Sequence, residues 1–197
     1  MTLTAPPWNP DRYIAAARFA AEVHQGQTVP GTELPYLLHV ATVCAEVMAA
    51  VSAEPEDDPD LAVQCALLHD AMEDAGVAHE ALAERFGTPV ADGVAALSKN
   101  PKIPKAERMA GSLARIQGRP FAVWKVKLAD RITNLQPPPP GWSGRKIAAY
   151  AEEARRILQE LGEASPFLSR RMEAKLAQYE KWIADAAPRR ESGRRRS

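Results

Sequence analysis

Hydrophobic residues along this 197-residue chain recur mainly at three- and four-residue spacing, the repeat of a helix that turns one face to a core. Alternation with a period of two is scarce, and no hairpin dipeptide sits between alternating runs. The pattern predicts an all-α protein with helices over roughly 10–25, 35–52, 59–75, 78–86, 89–98, 104–117, 120–136, 143–161 and 166–186. Asn9-Pro10, Asp58-Pro59, Thr88-Pro89 and Ser165-Pro166 each set a capping side chain before a proline suited to the first helical turn. Gly76, Gly87 and Gly162 are read as C-caps. Two stretches break the pattern: the loop GQTVPGTEL at 26–34, and the prolines at 137–140, which must end the helix before them. The last helix carries apolar residues at Phe167, Met172, Leu176, Tyr179 and Ile183, a face expected to cover the core.

Composition narrows the class. Hydrophobic residues make up 46% and charged residues 25%, the balance of a globular domain able to bury a core. Lys+Arg and Asp+Glu both number 25, so no global polyanion binder is indicated and no stable nucleic-acid partner is expected. Cys44 and Cys65 sit inside apolar helical runs without metal-ligand spacing, as buried thiols in a reducing compartment do. The N-terminus lacks a basic segment followed by an apolar one, and no apolar run is long enough to span a bilayer. A cytoplasmic protein without membrane attachment is therefore expected.

One stretch conflicts with a simple core helix. ALLHDAMEDAG, at 66–76, follows the uncharged LAVQCALL and brings His69, Asp70, Glu73 and Asp74 together within six positions. On a continuous helix, 69/73 and 70/74 stack one turn over the next, beside an apolar stripe of Leu61, Cys65, Leu68 and Met72. Three carboxylates in a poorly solvated place repel one another and neutralise unless a cation joins them. A divalent metal satisfies this with imidazole and carboxylate ligands. The alternative is an exposed helix end whose acids are simply solvated.

Two further segments offer partners. His39 lies among leucine, valine and alanine in LPYLLHVATVCAEV, a position that suits either a metal ligand or a hydrogen-bonded core histidine. In WKVKLADRITNL a core stripe of Leu128, Ile132 and Leu135 is matched by a polar stripe of Lys127, Asp130, Arg131 and Asn134. Periodicity alone leaves that second stripe open between a site and a solvated face.

The combined order His … His-Asp … Asp, with HDAMED and KLADRITN, resembles the HD superfamily of metal-dependent phosphohydrolases. More narrowly it is similar to the RelA/SpoT-type hydrolase domain, whose forms read HDxxED and KLADxxxN. HQGQT, PYLLH and the GW before a long helix extend the likeness over about residues 11–163. The resemblance implies a single HD-domain fold over 8–187, which takes in the nine helices read from periodicity; the composition of 188–197 points to a disordered basic tail. It implies a stand-alone small alarmone hydrolase, without synthetase or regulatory domains. His39, His69, Asp70 and Asp130 would then hold one divalent ion, manganese in the family, with Glu73 and Asp74 handling the metal-activated water. Lys127, Arg131 and Asn134 would bind the substrate. The implied reaction is hydrolysis of ppGpp at its 3′-diphosphate to GDP and pyrophosphate.

One element departs from the family's form. Where relatives commonly read HxGQxRK, this chain has Val29-Pro30 in place of the basic pair that meets the base. The substrate class therefore stays open between a guanosine alarmone, an adenosine alarmone, NADPH and another phosphorylated nucleotide. A vestigial binding module is the non-enzymatic alternative. Lys99, Lys102, Lys105 and Arg108 are read either as further phosphate contacts or as ordinary basic surface.

Overall fold

The computed structural model describes residues 7–55, 58–99, 104 and 107–186. Among them are α1 (Pro10–Val23), α2 (Leu37–Ala53), α3 (Pro59–Leu68), α4 (His79–Phe86), α5 (Thr88–Leu97), α6 (Arg108–Gln117), α7 (Phe121–Asn134), α8 (Gly144–Leu161), a 3-10 turn at Gly162–Ala164 and α9 (Pro166–Ala186). The only extended pairing among these residues is an isolated bridge between Thr28 and Pro35 that closes the loop before α2. No helix among them is long and apolar enough to cross a membrane. The expected tail at 188–197 lies outside the described residues.

Side-chain capping accounts for the starts of α1, α3, α8 and α9. The Asn9 side chain accepts from the N–H groups of Asp11 and Arg12, and Asp58 accepts from that of Leu61. Ser165 Oγ accepts from Leu168 N–H at 3.1 Å, while Glu54 at the end of α2 accepts from both Ser165 Oγ and Phe167 N–H. The start of α9 is thus tied to the end of α2. Thr88 does not cap as expected: α5 begins with it, and Gly87, at φ +90°, both ends α4 and precedes α5. Gly162 is not a left-handed cap either; its φ of −62° carries the chain on into the 3-10 turn.

The largest correction concerns α3. The periodicity predicts helix through 75, yet the helix stops at Leu68 and residues 69–75 form turns. His69 Nδ1 lies 2.9 Å from the Ala66 carbonyl, so the ring takes up the acceptor that a further helical N–H would use. Ala71 N–H donates to Leu68 O, a tighter turn, and Gly76 reverses the chain at φ +67°. Ahead of that break every residue from Leu61 to Leu68 is buried. Such an all-round buried helix belongs at the centre, and α3 packs against α1, α2, α5 and α7. Helix α7 lies beside it and is covered by α2, α8 and α9, with Leu128, Ile132 and Leu135 in the core. The apolar face of α9 joins them through Leu168, Met172, Leu176 and Tyr179. Both cysteines are buried free thiols, and burial pushes each up to about 12.

The α3–α5 contact is close enough to require glycine. A Cβ on Gly93 would lie 2.6 Å from Cys65 Sγ and 3.1 Å from Val123. Gly93→Ala is expected to cost about 1–3 kcal/mol by urea unfolding, the usual range for overpacking a tight core. Elsewhere Asp92 joins α5 to α4 and to the loop before α7, through hydrogen bonds to His79 and Arg119 at 2.8 Å each. These hold its carboxyl below the ordinary carboxylate range, His79 contributing most. A depressed folded pKa contributes stability above the unfolded value of about 3.9 and loses it as pH falls through the folded value. Asp92→Asn should therefore flatten the acid-side loss of stability, by under about 1 kcal/mol because the pair is solvent-exposed.

Candidate active site

The break after α3 delivers the charged residues to a cavity of about 330 Å³. His69, Asp70, Glu73 and Asp74 enter from the turns, His39 from the first turn of α2, and Lys127, Asp130, Arg131 and Asn134 from one face of α7. Lys99 follows α5, Tyr36 precedes α2, and Tyr150 and Glu153 come from α8. Val29 and Pro30, the positions that depart from the family's basic pair, form part of the wall.

Three side chains offer ligand atoms within 4.8 Å of one another: His39, His69 and Asp70. Asp130 Oδ1 and Asp70 Oδ2 each stand 3.7 Å from His39 Nε2. The His69 ring shows what the group lacks. With Nδ1 donating to the Ala66 carbonyl, the neutral ring carries its lone pair on Nε2. That Nε2 is buried, has no aligned hydrogen-bond partner, and yet lies 2.8 Å from Asp70 Oδ2. Two electron-rich atoms so close need a cation shared between them. Burial opposes a charged His69, but the Asp70 carboxylate outweighs it and raises the imidazole, the same demand met by a proton. The donor set of two imidazoles and carboxylates fits a divalent metal. The charge count agrees: the wall holds five carboxylates (Asp70, Glu73, Asp74, Asp130 and Glu153) and three cations (Lys99, Lys127 and Arg131), a deficit of two.

Each acid has its own surroundings. Burial pushes Asp130 up, but Lys127 and then His69 outweigh it and hold the carboxyl well below the usual range. Lys127 Nζ donates to Asp130 Oδ2 at 2.9 Å and Asn134 Nδ2 to Oδ1 at 2.6 Å. Burial likewise opposes ionisation of Asp70, and the His69 charge again prevails to lower it. Asp74 shifts the other way, raised by burial and by the Asp70 charge. Burial lowers His39 despite Asp130 nearby. Glu73 is gripped at both oxygens by Lys99, whose backbone N–H donates at 2.7 Å and whose Nζ donates at 2.6 Å. Arg131 is buried, with its guanidinium carbon 4.3 Å from the Tyr150 ring centre and one nitrogen 3.5 Å from Glu153.

The sequence-derived set and the structural one overlap unevenly. All nine candidate residues line the one cavity. Lys127 and Asn134, expected at the substrate, line the cavity and donate to Asp130, and Arg131 lies there against Tyr150. Of the four basic residues weighed as phosphate contacts, Lys99 reaches the cavity, Arg108 starts α6 and is absent from its lining, and Lys102 and Lys105 lie outside the described residues. Tyr36, within PYLLH, carries no periodic signal that marks it as part of the site. Its hydroxyl is 2.6 Å from Asp70 Oδ2 and 3.0 Å from Asp74 Oδ2. A phenol carries one proton, so it donates to one carboxylate at a time, and these two acids raise it far above its ordinary range once burial has begun to do so.

Comparison with known proteins identifies the family and the fold. The family profile described as HD domain matches residues 16–166. Guanosine-3′,5′-bis(diphosphate) 3′-pyrophosphohydrolase MESH1 of Danio rerio is 32% identical over 153 residues, covering 75% of this chain and 83% of its own length. The protein of the same name from Homo sapiens is 30% identical over 154 residues, with the same coverage. A solved structure described as "A metazoan ortholog of SpoT hydrolyzes ppGpp and plays a role in starvation responses" superposes with a TM-score of 0.74. It is 22% identical and covers 90% of this chain and 98% of its own. At that identity the superposition speaks for the fold.

A cation-deficient cavity should tighten when a divalent ion is supplied. An ion at a hundredfold its dissociation constant is expected to add about 2.7 kcal/mol to unfolding stability. Thermal melts with EDTA and then with added manganese chloride measure it, and His69→Ala should abolish the rise.

Proposed function

Because the chain belongs to the HD-domain family, we propose that it is a guanosine-3′,5′-bis(diphosphate) 3′-pyrophosphohydrolase, converting ppGpp to GDP and pyrophosphate. The observation that carries this reading is a cavity in which His39, His69, Asp70 and Asp130 meet acids and cations suited to a phosphate ester, in a chain about a third identical to enzymes so named. His39, His69, Asp70 and Asp130 hold the divalent ion, and two imidazoles among the ligands favour a mid-row metal such as manganese. When bound, the ion supplies Lewis acidity to a phosphate oxygen and lowers the pKa of water.

The protein's own groups account for the rest of the reaction. Water adds to the phosphorus attached to O3′, the P–O3′ bond breaks, and O3′ leaves with a proton. Glu73 and Asp74 orient that water and move the proton between it and O3′. Lys99 keeps Glu73 facing the cavity by two hydrogen bonds. Lys127 and Asn134 hold Asp130 and stand beside the phosphates, and Arg131 is braced against Tyr150 at the same wall. The same reading calls for no stable nucleic-acid or membrane partner and for a cytoplasmic protein that meets the free nucleotide pool.

A second reading keeps this chemistry and changes the nucleotide, and Val29 and Pro30 in the cavity wall favour keeping it in view. Neither offers the planar cation expected there. Purified protein with manganese should be offered ppGpp, pppGpp, ppApp and NADPH, with pyrophosphate or phosphate release followed. Consumption of ppGpp, lost by at least about a hundredfold in Asp70→Ala and Glu73→Ala, is the expected result. Turnover of another compound while both guanosine nucleotides stay intact replaces the substrate; undiminished activity in both variants overturns the site.

A further inference from the structure

Residues 69–75 carry four of the cavity's ionisable groups, yet they lie beyond the end of α3 and outside any helix. A helix would fix the direction of every side chain through its own ladder. Here the turn keeps few main-chain bonds of its own, among them Ala71 N–H to Leu68 O and Asp74 N–H to Asp70 O. Neither fixes where a carboxylate points. The His69 contact with Asp70 is unaligned as a hydrogen bond, so it does not orient that carboxylate either.

Tyr36 does. Its hydroxyl is the one aligned hydrogen-bond donor to the Asp70 side chain among the described residues, at 2.6 Å, and it reaches Asp74 at 3.0 Å. The ring is itself held on a rigid mount. It packs against the His24 and His39 rings, with centres 5.0 and 5.3 Å away, and its N–H donates to Gln27 O at 2.9 Å. Gln27 then closes the loop: its side chain donates to the Asp74 carbonyl at 3.0 Å and meets buried His24 at 2.8 Å. The loop before α2 thus grips the turn after α3 at one carboxylate pair and one carbonyl.

We propose that Tyr36 is the positioning residue of this site, its hydroxyl donating to Asp70, the nearer acceptor, and so orienting it toward the divalent ion, with Asp74 competing for the same proton. This rests on the metal reading given above. Hydrogen bonds to ligating carboxylates pre-organise a metal site, and losing one commonly weakens binding by about 10–100-fold. The function of the hydroxyl separates from that of the ring, because phenylalanine keeps the packing and removes only the donor.

The experiment is Tyr36→Phe in the full chain, with manganese affinity measured by calorimetry on EDTA-stripped protein beside ppGpp kinetics. The expected result is an affinity at least about tenfold weaker and a lower kcat at saturating metal with KM little changed, while the metal-free melting temperature stays at the wild-type value. Wild-type affinity and kcat in the variant would overturn the proposal and leave the metal reading intact. A metal-free protein that melts markedly lower would also overturn it, since the hydroxyl would then be supporting the fold. Wild-type protein that binds no divalent ion removes the metal reading and this one with it.

Discussion

Four carboxylates and two histidines converge where an apolar helix ends, and their mutual repulsion governs the rest of the arrangement. Asp70, Glu73, Asp74 and Asp130 face a cavity whose other walls add a fifth carboxylate, Glu153, and three cations, one of them braced against an aromatic ring. Without further positive charge, some of these acids would have to take up protons. A divalent ion between His39, His69 and Asp70 would keep them ionised and turn the repulsion into a binding site. The unaligned 2.8 Å approach of His69 Nε2 to Asp70 Oδ2 is the local sign of that demand.

The helices serve this constraint. Buried on every side, α3 cannot shift when charge gathers at its end, and Gly93 lets α5 seat closely on it. The stiff pair of α3 and α7 sets His69 and Asp70 opposite Asp130. Mobility is removed from the turn by contacts from elsewhere: Lys99 on Glu73, Tyr36 on Asp70 and Asp74, Gln27 on the Asp74 carbonyl. A metal site built on one buried helix end and one pinned turn would be pre-organised at its ligands.

Much of this was legible in the residues alone. Three-to-four-residue periodicity and the proline-led caps at Asn9, Asp58 and Ser165 located the helices, because caps and apolar stripes act within a few residues of where they are read. The residues that line the cavity could be named because HDAMED and KLADRITN set most of them at fixed local spacing. The end of α3 was not legible: Met72 continues the apolar stripe, and only the His69 ring bond to Ala66 shows why the helix stops. Tyr36 and the Lys99 grip were also out of reach. They act across 34 and 26 positions, through packing that no periodicity records.

The central claim is that one cation sits among the two histidines and the acids at the end of α3. Anomalous diffraction at the manganese edge, from crystals grown with manganese chloride, tests it most directly. The account predicts one strong peak per chain, enclosed by His39, His69, Asp70 and Asp130. A peak elsewhere on the surface, with clear density for those four side chains and none between them, would contradict it.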